Sequence, residues 1–131
     1  MKYFTIKELC KSSVAETKRI DNTPNLEIIN HLECLVKHIL DPLRERYGKP
    51  IYINSGYRSV ALNKAVNGSK TSQHVKGLAA DITAGSSEKN KILFSLIQEL
   101  NLPFDQLIDE KNYKWIHVSY STNPRKQILH L

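Results

Sequence analysis

From Leu26 to Leu43 apolar side chains recur at three- and four-residue steps: Leu26, Ile29, Leu32, Val36, Ile39 and Leu43. On a helix of 3.6 residues per turn they form one stripe, too apolar to leave in water, so the chain must build a second layer against it. Asp21-Asn22-Thr23-Pro24 is expected to open this helix, with Pro24 in the first turn, where its missing N–H costs nothing. Pro42 is expected to kink the helix near its end, and Gly48-Lys49-Pro50 to stop it. Thr5 and Glu8 stand at capping-box spacing, which predicts a short helix over about residues 6–12.

The second layer has to come from short strands. Ile51 to Asn54 reads as one, followed by a turn at Ser55-Gly-Tyr-Arg58 and a short helix from Ser59 to Val66 that ends at Asn67-Gly68. A long loop runs to His74, and Leu78 to Ile82 reads as the next strand. Ser86-Ser87 caps a helix with apolar positions Ile92, Leu93, Leu96, Ile97 and Leu100. Phe104 to Glu110 and Lys114 to Tyr120 are strand-like runs joined across Lys111-Asn112-Tyr113, which predicts a hairpin. Without a regular βαβ rhythm, this order predicts a small α+β fold: a largely antiparallel sheet with helices packed on one face. The 131 residues suit one domain, and they hold no repeat or low-complexity linker.

Lys and Arg exceed Asp and Glu by 19 − 13 = 6, with a pI near 9.3, so anionic partners are favoured: nucleic acid, anionic lipid or an acidic cell wall. The densest basic group, Lys37 to Lys49, lies on the long helix and reads as a solvated face; no nucleic-acid partner is expected. No apolar run approaches the roughly 18 residues of a membrane span, and MKYFTIKELCKSS lacks the apolar core of a secretory signal. Synthesis in the cytoplasm, without membrane insertion, is therefore expected. Cys10 and Cys34 are too few for a disulfide framework and read as reduced thiols.

Two segments stand out for chemistry, Ser72-Gln-His-Val-Lys-Gly-Leu-Ala-Ala-Asp81 and Lys114-Trp-Ile-His-Val-Ser119. Strand alternation puts Leu78, Ala80 and Ile82 on one face and Asp81 on the other, and likewise sets Ile116, Val118 and Tyr120 against Trp115, His117 and Ser119. If the apolar backs cover the helices, Asp81 and His117 share the open face. His74 can join them only through a turn, because seven extended residues span about 23 Å while zinc ligands hold their donors within roughly 2.2 Å of the metal. Gly77 is the place for that turn. Two imidazoles and a carboxylate suit a Zn²⁺ ion with a fourth position open to water; ordinary polar strand residues are the alternative. His31, His38 and His130 carry no accompanying carboxylate motif and are assigned structural or surface roles.

Ser55-Gly-Tyr-Arg-Ser59, Leu62-Asn63, Gly68, Ser72-Gln-His74, Gly77, Ala79-Ala-Asp-Ile82, Phe104-Asp-Gln-Leu-Ile108, Glu110 and Trp115-Ile-His-Val-Ser119 resemble the ordered motifs of the zinc D-alanyl-D-alanine carboxypeptidase family. That family includes phage L-alanyl-D-glutamate endopeptidases and D-Ala-D-Ala dipeptidases, and shares its fold with the hedgehog signalling domain. Phe4-Thr-Ile-Lys-Glu-Leu9 and Ile20-Asp-Asn-Thr-Pro24 resemble its short phage and prophage branch.

The resemblance implies one zinc ion held by His74, Asp81 and His117, and a substrate among the peptide stems of peptidoglycan. Arg58 corresponds to an arginine that faces substrate or a developing oxyanion; bracing its own loop is the alternative. Ser72 matches a pocket serine, or bonds only its own loop, and Trp115 walls the substrate groove or merely packs. Several members carry an acid three positions before the last histidine, where this chain has Lys114. Glu110 is then the expected general base, with Asp109 as the neighbour pointing to the opposite face. The implied setting is a monomeric phage-type lysis enzyme that reaches the wall after holin-type release. Two other classes remain: a non-catalytic zinc module on the same fold, for which Lys114 marks a lost base, and a basic nucleic-acid-binding domain.

Overall fold

The computed structural model describes residues 1–131. The Thr5–Glu8 capping box is present and starts α1, Ile6–Cys10. The helix is shorter than expected because Ser12 begins another: its side chain accepts from the Ala15 N–H and caps α2, Ser13–Lys18. The long helix starts later than Pro24. Asn25 caps α3, Leu26–Leu35, by accepting from the Ile28 N–H, which leaves Pro24 outside the helix.

Pro42 acts differently from the expected kink. A proline ring clashes with the carbonyl four residues back in a regular α-helix. Here the chain makes one π-turn over Val36–Leu40, in which the Asp41 N–H reaches the Val36 carbonyl, and Pro42 falls in the first turn of α4, Asp41–Tyr47. Gly48, left-handed at φ 77°, ends α4. The buried face therefore gains Leu35 and Leu40, which the stripe omitted, while Leu26 is 73% exposed.

Five strands follow: β1 (Tyr52–Ser55), β2 (Ala79–Thr83), β3 (Phe104–Glu110), β4 (Trp115–Tyr120) and β5 (Gln127–His130). Between them lie α5 (Val60–Ala65), a 3-10 turn at Gln73–Lys76 that shortens the expected loop, and α6 (Ser87–Glu99). The sheet order is β1-β2-β4-β3-β5. Every neighbouring pair is antiparallel except β3 with β5, which is parallel, so the sheet is mixed but mainly antiparallel.

One face of the sheet supplies Ala80, Ile82, Leu107, Ile116 and Val118 to the core, against Leu32, Leu35, Val36, Ile39 and Leu43 from α3–α4 and Leu93, Phe94 and Ile97 from α6. Burying that apolar area is the main stabilising contribution. Ile92, expected in the α6 stripe, is 49% exposed, and Phe94 is buried in its place.

The β3–β4 hairpin turns through three consecutive left-handed residues, Lys111, Asn112 and Tyr113. The fully buried Asn90 of α6 secures that turn: its Nδ2 donates to the Tyr113 and Lys114 carbonyls, and its Oδ1 accepts from the Ala84 N–H just past β2. One side chain thus ties α6, the end of β2 and the start of β4 together.

Candidate metal centre

With the sheet's apolar back on the helices, its other face is free to carry polar groups. Asp81 and His117 are direct cross-strand partners in the β2–β4 ladder, so their side chains emerge side by side there. Their neighbours Ala80, Ile82, Ile116 and Val118 point the other way into the core, as strand alternation requires.

His74 arrives from the 3-10 turn. Ser72 caps that turn, its hydroxyl accepting from the His74 N–H at 3.2 Å, and Gly77 closes it at φ 72°. Chain reversal between His74 and β2 therefore rests on the expected glycine. His74 Nδ1 lies 2.7 Å from the Gly56 carbonyl oxygen, which only accepts, so Nδ1 carries the proton and Nε2 keeps its lone pair. That Nε2 faces the Asp81 carboxylate: His74 Nε2 and Asp81 Oδ1 are 3.3 Å apart, and His117 Nδ1 and the same oxygen 3.0 Å. The three donor atoms all lie within 4.8 Å of one another.

An imidazole lone pair and a carboxylate oxygen at this separation repel unless a proton or a metal cation lies between them. A tetrahedron of zinc bonds at about 2.1 Å has edges of about 3.4 Å, close to the 3.3 and 3.0 Å that separate Asp81 Oδ1 from the two imidazoles, and this donor set suits such an ion. Burial alone would raise the Asp81 carboxyl; the hydrogen bonds and charges of His117 and His74 outweigh it and hold the group far below the usual carboxylate range. Asp81 is thus kept as an anionic ligand.

A cavity of about 860 Å³ opens over the cluster, and Arg58, Ser72, Glu110 and Trp115 all line it. Arg58 sits on the turn before α5. Its main-chain N–H donates to the His74 carbonyl at 3.1 Å, and its Nη2 lies 3.4 Å from the Ser72 hydroxyl. Burial lowers the Arg58 pKa, and the Asp81 charge raises it. Arg58 Nε and Trp115 Nε1 are buried donors without a protein partner.

Glu110 lies opposite Trp115 in the β3–β4 ladder and faces the cavity. Asp109 does turn away: its carboxylate accepts from the Tyr113 N–H and pairs with His130 Nδ1. His31 braces the 3-10 turn through the Lys76 carbonyl, and His38 stacks on Tyr120 at 4.9 Å, so neither joins the cluster.

Sequence reasoning missed two supports. Asn22 sits in the run read as a helix start, yet its Oδ1 accepts from the Ser59 N–H at 2.7 Å and its Nδ2 donates to the Tyr57 carbonyl at 3.0 Å, clasping the peptides on both sides of Arg58. Gln73 and Arg125, both bound to the buried Asp105, line another part of the cavity. Gln73 and Asp105 stand within the motifs quoted above, but nothing in the sequence marks Arg125 as their partner.

The sequence model of the family described as Peptidase M15 matches residues 2–119. Over 48 residues, 36% of the chain, the sequence is 48% identical to the zinc D-Ala-D-Ala carboxypeptidase of Streptomyces albus G; the match spans 19% of that protein.

Proposed function

The chain belongs to the peptidase M15 family, and from that premise we propose that it is a zinc-dependent peptidase hydrolysing an amide bond in peptidoglycan stem peptides. The observation that carries this reading is the convergence of His74 Nε2, Asp81 Oδ1 and His117 Nδ1 at the floor of an open cavity. The name of the Streptomyces albus G relative supports a substrate with a D-amino acid beside the bond that is cut.

Held by His74, Asp81 and His117, a zinc ion would supply a Lewis acid to polarise the scissile carbonyl and acidify the attacking water. The chain's own residues do the rest. Glu110, facing the cavity from the end of β3, takes a proton on its carboxylate from the attacking water and later delivers it to the departing amine nitrogen. Arg58 donates to the oxygen on which negative charge develops; its position is set by Asn22 on either side of its peptide and by Ser72 at its guanidinium. Ser72 also fixes the main chain of His74. Trp115 forms a wall beside Glu110 and keeps bulk water from the reacting bond.

The test is mass spectrometry of fragments released from purified peptidoglycan by zinc-loaded protein, metal-free protein and zinc-loaded Glu110→Gln. Release of defined stem fragments is expected only with metal, falling at least about a hundredfold in the variant while its zinc content is unchanged. No fragments from several wall types, despite one zinc per chain, would replace the peptidase with a non-catalytic zinc module.

A further inference from the structure

Behind the cavity lining lies a group that the proposed hydrolysis does not use. Asp105 is buried, with its side chain 7% exposed, yet it accepts four hydrogen bonds. The Arg125 main-chain N–H and Nε both reach Oδ1 at 3.0 Å; Arg125 Nη2 and Gln73 Nε2 reach Oδ2 at 2.8 and 2.9 Å.

This commits one edge of the guanidinium. The Nη1 edge points away from Asp105, and the Arg125 side chain, 57% exposed, lines the cavity. The same carboxylate fixes the Gln73 amide. A carboxylate only accepts, so the NH₂ must face Asp105, and Gln73 Oε1 is left buried without a donor. An orphan buried acceptor is costly unless something supplies its hydrogen. Two groups locked by one carboxylate thus border the cavity of the metal centre, Arg125 with a free forked donor and Gln73 with an unpaired acceptor buried just beneath its surface. Arg125 also lies beyond the family match, which ends at residue 119.

We propose that Arg125 and Gln73 form a substrate subsite for a carboxylate with an adjacent amide N–H, the carboxylate pairing with the guanidinium and the N–H with Gln73 Oε1 once a small shift of that side chain uncovers it. The inference rests on the peptidase reading for the nature of its ligand. Peptide stems carry such a group in two places, at the C-terminal residue and at the free α-carboxyl of a γ-linked D-glutamate. Arg58 and Lys76, which line the same cavity, add positive charge that favours either.

The test is calorimetric binding to zinc-loaded Glu110→Gln, which removes turnover, and to the same protein carrying Arg125→Lys or Gln73→Met. Three probes are used: the pentapeptide L-Ala-γ-D-Glu-L-Lys-D-Ala-D-Ala as free acid, its D-Glu α-amide and its C-terminal amide. Arg125→Lys keeps a charge near Asp105 but loses the fork, and melting temperature reports whether each variant is folded. For the free acid, affinity is expected to fall roughly ten- to hundredfold with Arg125→Lys and several-fold with Gln73→Met. One of the two amides should bind weakly to the parent and lose nothing further on substitution, which identifies the carboxylate. Equal affinity for all three probes, equal losses for all three in Arg125→Lys, or no binding of any probe overturns the subsite. Hydrolysis by the otherwise unaltered chain is read separately: its absence overturns the peptidase reading, while the binding comparison still decides the subsite.

Discussion

Gly77 and Gly48 are both left-handed, at φ 72° and 77°, but only one is crowded, and the pair separates backbone strain from packing. A Cβ on Gly48 would meet nothing within 4 Å, so Gly48→Ala is expected to cost only the left-handed penalty of about 1 kcal/mol. A Cβ on Gly77 would lie 3.0 Å from Ile28 Cγ2 and 3.1 Å from the Ile28 carbonyl oxygen. That carbonyl belongs to α3 and cannot step aside without moving the helix, so overpacking adds about 1–2 kcal/mol, for a total of about 2–3 kcal/mol. At an unfolding entropy of about 2.1 cal/mol/K per residue, the chain loses about 4 °C of melting temperature per kcal/mol. Circular-dichroism melts of metal-free protein should therefore fall by about 4 °C for Gly48→Ala and about 7–11 °C for Gly77→Ala. Because Gly77 also sets where His74 stands relative to Asp81, zinc affinity should drop more than tenfold in Gly77→Ala and stay constant in Gly48→Ala. Equal melting shifts in the two variants would refute the packing argument, and unaltered zinc affinity in Gly77→Ala would refute the role given to the turn.

Metal loading offers a second check: free zinc at a hundred times its Kd should stabilise the protein by about 2.7 kcal/mol, raising the melting temperature by about 10 °C. The gain should vanish in His117→Ala and shrink in acid, where protons compete for the imidazole nitrogens; a melt indifferent to zinc and chelator speaks against the site. A third prediction concerns Asp105. The Arg125 side-chain hydrogen bonds pull its carboxyl down to about 2 against the upward push of burial, with the Arg125 N–H and Gln73 adding to the fall. A depressed carboxyl stabilises the fold at pH above the ordinary value near 3.9 and loses that contribution as pH falls towards 2. Discounted for solvent screening of the exposed Arg125, the loss is about 1 kcal/mol, and Asp105→Asn should remove this part of the acid dependence. Parallel stability curves for the two proteins between pH 5 and 2 contradict it.

The metal cluster was legible in the chain because its geometry is local or periodic. Asp81 and His117 sit on strands whose apolar alternation announces which face is free, and Gly77 announces the turn for His74. The Phe104-to-Glu110 and Lys114-to-Tyr120 hairpin and the Ser86 cap were readable for the same reason. What stayed hidden depends on contacts between distant segments. β5 pairs with β3 through a short run, Gln127–His130, with no alternation strong enough to mark a strand, and the pairing brings Arg125 to Asp105. Asn22 carried a plausible local role as part of a helix start, which concealed its long-range clasp on the Arg58 turn. Pro42 was recognised as a helix breaker, but propensity alone does not tell a kink from a π-turn.

That π-turn gives the chain a place where its length can change. Between α3 and α4 the helix holds one residue more than a regular α-helical path needs, signalled by the Asp41 N–H reaching back five positions to Val36. With Pro42, which the wide turn accommodates, replaced by alanine, losing a single exposed residue there, such as Lys37, would let the backbone relax into ordinary α-helix with little rotation of the flanking turns. The same deletion elsewhere in α3 or α4 would rotate everything beyond it by about 100° and swing core leucines into water. A one-codon deletion scan across residues 26–47 in the Pro42→Ala chain would accordingly show a single tolerant window at 36–40, a gap that closes again when Pro42 is restored.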